Sequence, residues 1–206
     1  MGTMLVALAS FTVAATLIVL LPGPDTLVVV RSIMRGGRRK GITTALGNLC
    51  GLTVWVCAAA LGLAAVLRAS EVGYDILRIA GATYLLWLGV QAWRNRGRIE
   101  DAPRGRGGVL GTGFFAGLLT NLLNPKVGVF FVTFLPGFVP RGDSVGLTSL
   151  LFGAIFVALT AIYWVVLLGL AGTVTAWMNA PRIRRRLDTI TAAILVGFGA
   201  KLVTES

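Results

Sequence analysis

Two charged residues, Asp25 and Lys126, lie deep within apolar stretches of the sequence and are its strongest candidates for chemistry. Asp25 lies in LIVLLPGPDTLVVV, residues 17–30, and Lys126 is the only charge between Val109 and Leu135. A charge at the centre of a bilayer helix costs about 2.5–3.5 kcal/mol on insertion scales. We therefore expect the carboxylate and the ammonium group to pair with each other, and Asp25 is the candidate to bind and release a proton.

Each charge follows a proline, a residue that costs roughly 3 kcal/mol inside a helix. Proline is tolerated at the first helical position, and Gly or Asn directly before it can cap the helix. The motif PGPD at residues 22–25 therefore predicts that one helix ends and another begins, with Gly23 near the cap and Pro24 first. The motif NPK at residues 124–126 predicts the same break, with Asn124 as the cap. Each restart would expose backbone N–H groups and the positive end of a helix dipole.

The stretches that contain these motifs are long enough to cross a membrane. The chain has 206 residues, of which 56% are hydrophobic and 13% charged, whereas a soluble domain carries about 25% charged residues. A run of about 20 apolar residues crosses the hydrocarbon core of a bilayer. The sequence therefore predicts an all-α integral membrane protein without a soluble domain. Six transmembrane helices are predicted, at about 3–30, 42–67, 76–93, 109–135, 146–171 and 187–203. The sixth segment is short and contains Lys201, so a chain of five spans is the alternative.

The basic residues indicate orientation in the membrane rather than binding of nucleic acid. The net charge is +11, but the basic residues lie in short gaps between apolar segments, and cytoplasmic loops carry the excess of Lys and Arg. The first, third and fifth gaps contain Arg31, Arg35, Arg38, Arg39 and Lys40, then Arg94, Arg96, Arg98, Arg104 and Arg106, then Arg182, Arg184, Arg185 and Arg186. These gaps would face the cytoplasm, and both termini would lie outside.

The two halves of the chain resemble each other on either side of a basic linker, residues 94–108. Matching Pro24 to Pro125 aligns LLPGPDTLVVV with LLNPKVGVFF. The segments GITTALG and LRIAGATYLLWLG of the first half then find counterparts in GLTSLLFG and LDTITAAILVGFG. Residues 1–93 and 109–206 are thus predicted to be two three-helix repeats, and an odd number of spans inverts the second. Inverted-repeat secondary transporters bind substrate where the broken helices of the two halves meet.

This arrangement predicts a site for a zwitterion between the two motifs. The ammonium group of an amino acid would meet Asp25, and its carboxylate would meet Lys126 and the helix end at Asn124 and Pro125. Asn121 and Asn124 lie three residues apart, on one helix face, and would line the cavity. In the alternative interpretation, Asp25 lies near the cytoplasmic surface and only caps its helix or pairs with a loop arginine.

Other conspicuous residues are interpreted as packing residues. The spacing of Gly47 and Gly51, like that of Gly113 and Gly117, is typical of close contact between membrane helices. Asn48 is interpreted as part of such a contact. Tyr84, Trp87 and Tyr163 are interpreted as interfacial or packing residues rather than ligand contacts.

At these residues the chain resembles the lysine exporter (LysE/RhtB) family of amino-acid efflux transporters. The resemblance is carried by LLPGPDTLVVV, GGRRKGITTALGNLCG, IAGATYLLWLG and GFFAGLLTNLLNPKVGVFFVTFLPGFV. It implies a six-helix exporter of the cytoplasmic (inner) membrane, driven by the proton gradient, for amino acids or relatives such as basic amino acids, threonine or homoserine lactone. The motif positions that it implies are Pro22, Gly23, Pro24, Asp25, Asn121, Asn124, Pro125 and Lys126. The expected partners are substrate, protons and the bilayer, and a homo-oligomer is compatible with the sequence.

Other functions fit these residues less well. A membrane thiol-redox carrier has a similar architecture but needs one reactive cysteine in each half, whereas Cys50 and Cys57 both lie in the second segment. An enzyme is not expected, because the chain has no histidine and a single intramembrane carboxylate provides few catalytic groups for hydrolysis. The absence of histidine also excludes His-ligated metals and Ser-His-Asp triads, and no cofactor is indicated. A channel or an assembly subunit stays open as an alternative.

Overall fold

The computed structural model describes residues 2–21, 23–69, 111–140 and 142–170, together with isolated positions between 79 and 94 and between 186 and 197. These residues form helices and short turns and contain no strand. Pro22, nearly all of the predicted linker and most of the predicted third and sixth segments lie outside the described residues. The fold described here is therefore that of the first, second, fourth and fifth predicted segments.

The first predicted segment is broken. Helix α1 runs from Gly2 to Leu20, and helix α2 begins at Pro24 and extends to Ala69. Helix α2 contains non-helical backbone at Gly36 and Gly37, which divides it into a first arm before Gly36 and a second arm after Gly37. Gly37 has a φ of 70°, a conformation that glycine adopts without steric penalty. The first predicted gap is therefore a tight turn between two helical arms.

The fourth predicted segment is also broken. Helix α3 covers Phe114–Leu122 and helix α4 covers Pro125–Val129. A π-helical turn at Phe130–Phe134 and a 3-10 turn at Leu135–Phe138 continue the chain. The helix direction changes by 52° between α3 and residues 126–132. A proline thus starts the second part of each broken segment.

By length and composition, three helical ranges of the described residues could cross a membrane: Thr3–Leu20, Pro24–Gly62, which includes the turn at Gly36 and Gly37, and Val145–Gly169. Their mean hydropathies are 2.3, 1.6 and 2.5. Helix α5, at Val145–Gly169, agrees with the predicted span at 146–171. The bent pair of α3 and residues 126–132 makes a fourth candidate if it counts as one span. The all-helical, apolar character predicted from composition is confirmed for this part of the chain.

The second arm of α2 packs closely against α3 through glycines. A Cβ atom at Gly47 would overlap the carbonyl oxygen of Phe114, and a Cβ atom at Gly117 would overlap the carbonyl oxygen of Thr44. Backbone atoms cannot move aside as a flexible side chain can, so the two helices reach this separation only because both positions are glycine. Close packing at these two glycines, predicted from their spacing, is confirmed.

Two apolar clusters hold the helices together. The phenylalanine cluster is centred on Phe11 of α1 and Phe152 of α5, whose stacked rings have centroids 4.6 Å apart. Its other phenylalanines are Phe130, Phe131, Phe134 and Phe156. The tryptophan cluster consists of Val29, Val30, Ala45, Trp164, Leu167 and Leu168. The first arm of α2 thus packs against the C-terminal part of α5, while α1 packs against the N-terminal part of α5.

Candidate functional site

The break between α3 and α4 is held by the cap that the sequence predicts. Asn124 has extended backbone, and its side-chain oxygen Oδ1 accepts a hydrogen bond from the backbone N–H of Lys126 at 3.1 Å. Pro125 occupies the first turn of α4. Trp55, from the second arm of α2, donates through Nε1 to the carbonyl oxygen of Asn121 at 3.3 Å. That carbonyl lies in the last turn of α3, where carbonyl groups lack partners within the helix.

The break between α1 and α2 receives the ammonium group of Lys126. The Nζ atom donates to the carbonyl oxygen of Leu21 at 3.0 Å and to that of Ile18 at 3.2 Å. These carbonyls lie at the C-terminal end of α1, where the helix dipole favours a cation. A charge from the second half of the chain therefore closes the helix end of the first half.

The predicted start of α2 is confirmed at Gly23 and Pro24. Pro24 is the first residue of the helix, and the carbonyl oxygen of Gly23 accepts from the N–H of Leu27 at 3.1 Å. Gly23 also faces the site, since a Cβ atom built there would lie 3.4 Å from Nζ of Lys126. The glycine therefore leaves the lysine room beside the helix break.

Asp25 lies in the first turn of α2 and binds two asparagines of the other break. Its Oδ2 atom accepts from Nδ2 of Asn124 at 2.6 Å and from Nδ2 of Asn121 at 3.4 Å. Both asparagines are only 2% exposed. The other carboxylate oxygen, Oδ1, is buried and has no hydrogen-bond partner among the described residues. Asp25 thus contacts the opposite half of the chain, and it contacts no loop arginine in the described part of the sequence.

The direct pair expected between Asp25 and Lys126 does not form: in the described part of the chain, no hydrogen bond or ion pair joins the two side chains. Each charge instead interacts with the helix break of the other half. No direct pair forms because carbonyl groups at the end of α1, which can each accept more than one hydrogen bond, offer Lys126 a set of acceptors without a carboxylate. The two charges still attract each other across the cavity.

Asp25 and Lys126 nevertheless line one cavity of about 30 Å³, enough for roughly two water molecules. Its polar lining consists of Asp25, Thr26, Asn48, Asn121, Lys126, Thr160 and Tyr163. Phe156 of the phenylalanine cluster and Trp164 of the tryptophan cluster also line it. The cavity therefore lies between the two apolar clusters. The hydroxyl groups of Thr26 and Tyr163, 3.2 Å apart, join α2 to α5 beside it.

The structure brings most of the predicted site residues together. Asp25, Asn121 and Lys126 line the cavity, while Asn124 reaches it through its hydrogen bond to Asp25. Gly23, Pro24 and Pro125 form the helix starts around it. Pro22 lies outside the described residues.

Sequence reasoning missed Asn48, Tyr163 and Trp164, which all line the cavity. The side-chain oxygen of Asn48 accepts a hydrogen bond from Nε1 of Trp164 at 3.2 Å. A signal for Asn48 was present, since it is the only amide side chain between Ile42 and Leu67. A polar side chain inside a membrane helix normally bonds to a neighbouring helix or faces a cavity.

Cys50 and Cys57 are free thiols at exposed positions of the second arm of α2. Neither residue lines the cavity between the helix breaks. A thiol-redox carrier would need reactive cysteines of both halves beside that cavity, so this alternative gains no support.

The comparison with known families identifies the kind of protein. The LysE type translocator family matches residues 16–206, nearly the whole chain. The chain belongs to this family. This LysE type translocator is thus a membrane transporter of an amino-acid efflux family and not an enzyme, and the resemblance found in the sequence is confirmed.

Several relatives match this LysE type translocator over almost their full length. It is 32% identical over 200 residues to the threonine efflux protein of Salmonella typhi, which covers 94% of this chain and 96% of the relative. The homoserine/homoserine lactone efflux protein of Salmonella typhimurium is 26% identical over 195 residues, 95% of each chain. An uncharacterized membrane protein of Bacillus subtilis, YrhP, is 28% identical over 204 residues, 95% of this chain and 97% of its own. No solved structure matches the chain.

Proposed function

We propose that this LysE type translocator is a secondary active exporter that moves an amino acid or a related small metabolite out of the cell in exchange for protons. The relatives named for efflux of threonine and of homoserine or homoserine lactone support this substrate class. The observation that carries the proposal is the cavity between the two helix breaks, which is lined by a carboxylate and an ammonium group that share no hydrogen bond.

The free polar atoms of the cavity fit the two ends of an amino acid. Among the described residues, two cavity oxygens have no hydrogen-bond partner, Oδ1 of Asp25 and Oδ1 of Asn121, and both can accept from a substrate ammonium group. Lys126 has three N–H donors, of which two bind the carbonyls of Ile18 and Leu21. The third has no partner among the residues that the structure describes and is available for a substrate carboxylate. Positive and negative ends of the substrate would therefore each meet the opposite charge.

Asp25 also provides the link to the proton. When the substrate ammonium group binds, it neutralises the carboxylate, and when the substrate leaves, a proton can take its place. A carboxylate that holds either substrate or proton, but not both, exchanges one for the other across the membrane. This competition converts an inward proton gradient into outward movement of substrate.

The cavity must widen during transport. A volume of about 30 Å³ holds roughly two water molecules, which is less than an amino acid requires. Residues of the phenylalanine cluster and of the tryptophan cluster line the cavity, and each cluster would open in turn. Two inverted three-helix repeats, of residues 1–93 and 109–206, would provide this motion by rocking about the helix breaks.

Transport by the purified protein tests the proposal. We would reconstitute the protein in liposomes and measure counterflow of radiolabelled L-threonine, L-homoserine, homoserine lactone and L-lysine, with and without a pH gradient. We expect saturable accumulation of at least one compound above the level in protein-free liposomes. Efflux of substrate should be faster when the pH gradient drives protons in the direction opposite to the substrate.

The outcomes separate the parts of the proposal. No accumulation of any compound above protein-free liposomes would overturn the assignment as an amino-acid exporter. Counterflow that proceeds normally, but with efflux that does not respond to the pH gradient, would overturn the proton coupling alone.

A further inference from the structure

The side-chain amide of Asn48 has a fixed orientation in the cavity wall. The indole N–H of Trp164 can only donate a hydrogen bond, and it lies 3.2 Å from Oδ1 of Asn48. The reverse orientation of the amide would place two donors against each other. The oxygen of Asn48 therefore faces Trp164, and its NH₂ group is directed elsewhere.

That NH₂ group is a buried donor near the carboxylate of Asp25, but it makes no hydrogen bond of normal length and angle to it. Asn48 is 1% exposed, and Nδ2 makes no hydrogen bond to any described residue. An unsatisfied buried donor is unfavourable, and packing does not require one here. Leu52, one helical turn further along α2, is apolar and lines the same cavity.

The cavity also holds two acceptors that have no hydrogen-bond partner in the described part of the chain, Oδ1 of Asp25 and Oδ1 of Asn121. A ligand that binds all three of these atoms needs an ammonium group, which donates to the two acceptors, and an oxygen, which accepts from Nδ2 of Asn48. The ammonium group and the oxygen must lie close to each other in the ligand. An α-amino acid has this pattern, and a simple amine has only the first part of it.

We propose that Asn48 is a specificity-determining residue of the transport site, which binds one carboxylate oxygen of the substrate while Lys126 binds the other. Trp164 is a positioning residue, because it holds the amide of Asn48 with the NH₂ group toward the substrate. The assignment rests on the proposed function, since it names a recognition element of the same site. It replaces the interpretation of Asn48 as a packing residue only.

A comparison of two ligands isolates the contact. L-threonine and 1-amino-2-propanol share the ammonium and hydroxyl groups, but only L-threonine has the carboxylate. We would measure the Kd of each for detergent-purified wild type, Asn48→Ala, Trp164→Phe and Thr53→Ala. The last variant is a matched control, because Thr53 lies on the same arm, is exposed and donates to the carbonyl oxygen of Leu49.

The carboxylate is charged, and a hydrogen bond to a charged group corresponds to about a tenfold or larger change in affinity. We therefore expect Asn48→Ala to raise the Kd of L-threonine by about tenfold or more and to leave that of 1-amino-2-propanol nearly unchanged. Trp164→Phe should also raise the Kd of L-threonine, by a smaller factor. Thr53→Ala should change the Kd of neither ligand.

The contrary outcomes are distinct. An equal loss for both ligands in Asn48→Ala would show a structural role, and no loss for either would show that Asn48 does not contact the substrate. Each overturns this assignment while wild-type binding of L-threonine upholds the proposed function. A wild-type protein that binds none of the amino acids used for counterflow overturns the proposed function and the assignment together.

Discussion

At the residue scale, Asp25 and Lys126 show how two opposite charges can lie in one apolar protein without a hydrogen bond between them. Asp25 accepts from the amides of Asn121 and Asn124, and Lys126 donates to the carbonyls at the end of α1. The cap at Asn124 could be predicted, because it involves atoms two residues apart and follows a strong local preference. The contacts of Lys126 could not, because every residue has a carbonyl group and only the fold decides which ones a lysine reaches.

Replacing Asp25 with asparagine should abolish proton-driven efflux without unfolding the protein. The asparagine has the same shape and can still accept from Asn124, but it has no negative charge and cannot exchange a proton. We expect efflux driven by a pH gradient to fall to the level of protein-free liposomes. Size-exclusion chromatography of the solubilised variant should show an unchanged amount of folded protein.

Asp143→Asn is the matched control for that variant. Asp143 is exposed in the turn before α5, so the same chemical change should leave efflux at the wild-type rate. If Asp25→Asn also retained the wild-type rate under a pH gradient, Asp25 would not be the proton-exchanging residue.

At the scale of helices, the two breaks follow from proline chemistry, whereas other features do not. Pro24 and Pro125 start α2 and α4 as the sequence predicts. The gap predicted at residues 31–40 is mostly helical, because Arg and Lys are good helix formers and only Gly36 and Gly37 leave the helix. The π-helical turn at Phe130–Phe134 has no signal in its sequence.

The contact between α2 and α3 should not tolerate a methyl group at Gly47. A Cβ atom there would overlap the carbonyl oxygen of Phe114, and overpacking of this kind typically costs about 1–3 kcal/mol. We expect Gly47→Ala to lower the Tm of the detergent-solubilised protein by at least about 2 °C, measured by intrinsic fluorescence. Gly117→Ala, from the other side of the contact, should act in the same direction.

The control for these variants is Gly62→Ala, on the same arm of α2. A Cβ atom at Gly62 would meet nothing within 4 Å, and alanine favours a helix more than glycine does. Its Tm should equal or exceed that of the wild type. A Tm for Gly47→Ala as high as that of Gly62→Ala would mean that the two helices are not in close contact.

At the scale of the whole molecule, the apolar segments could be predicted from composition, because length and hydropathy alone decide whether a helix can span a membrane. The residues that each half contacts in the other half could not be predicted. Asp25 of the first half binds asparagines of the second, and Lys126 of the second half binds carbonyls of the first. This exchange depends on the relative placement of the two breaks, which no local pattern in either half specifies.

The proposed orientation places the turn at Gly36–Gly37 and the linker 94–108 on the cytoplasmic side, with two spans between them. Arg38, Arg39 and Lys40 are exposed at that turn, and an excess of Lys and Arg marks cytoplasmic loops. A reporter that is active only in the cytoplasm should therefore be active when fused after Arg104. The same reporter should be inactive when fused after Gly142, which is exposed before α5.

A third fusion, after Ser206, distinguishes six spans from five. With the linker inside, three further spans place the C-terminus outside and leave the reporter inactive, whereas two further spans make it active. A chemical label provides an independent check: a cysteine introduced at Arg39, in a background with Cys50→Ser and Cys57→Ser, should resist a membrane-impermeant maleimide added to intact cells. The linker and this turn must lie on the same side because an even number of spans separates them. Labelling at position 39 together with an inactive fusion after Arg104 would mean that the whole orientation is the opposite of the one proposed. If the label and the fusion placed the turn and the linker on different sides, the number of spans between them would be odd and not two.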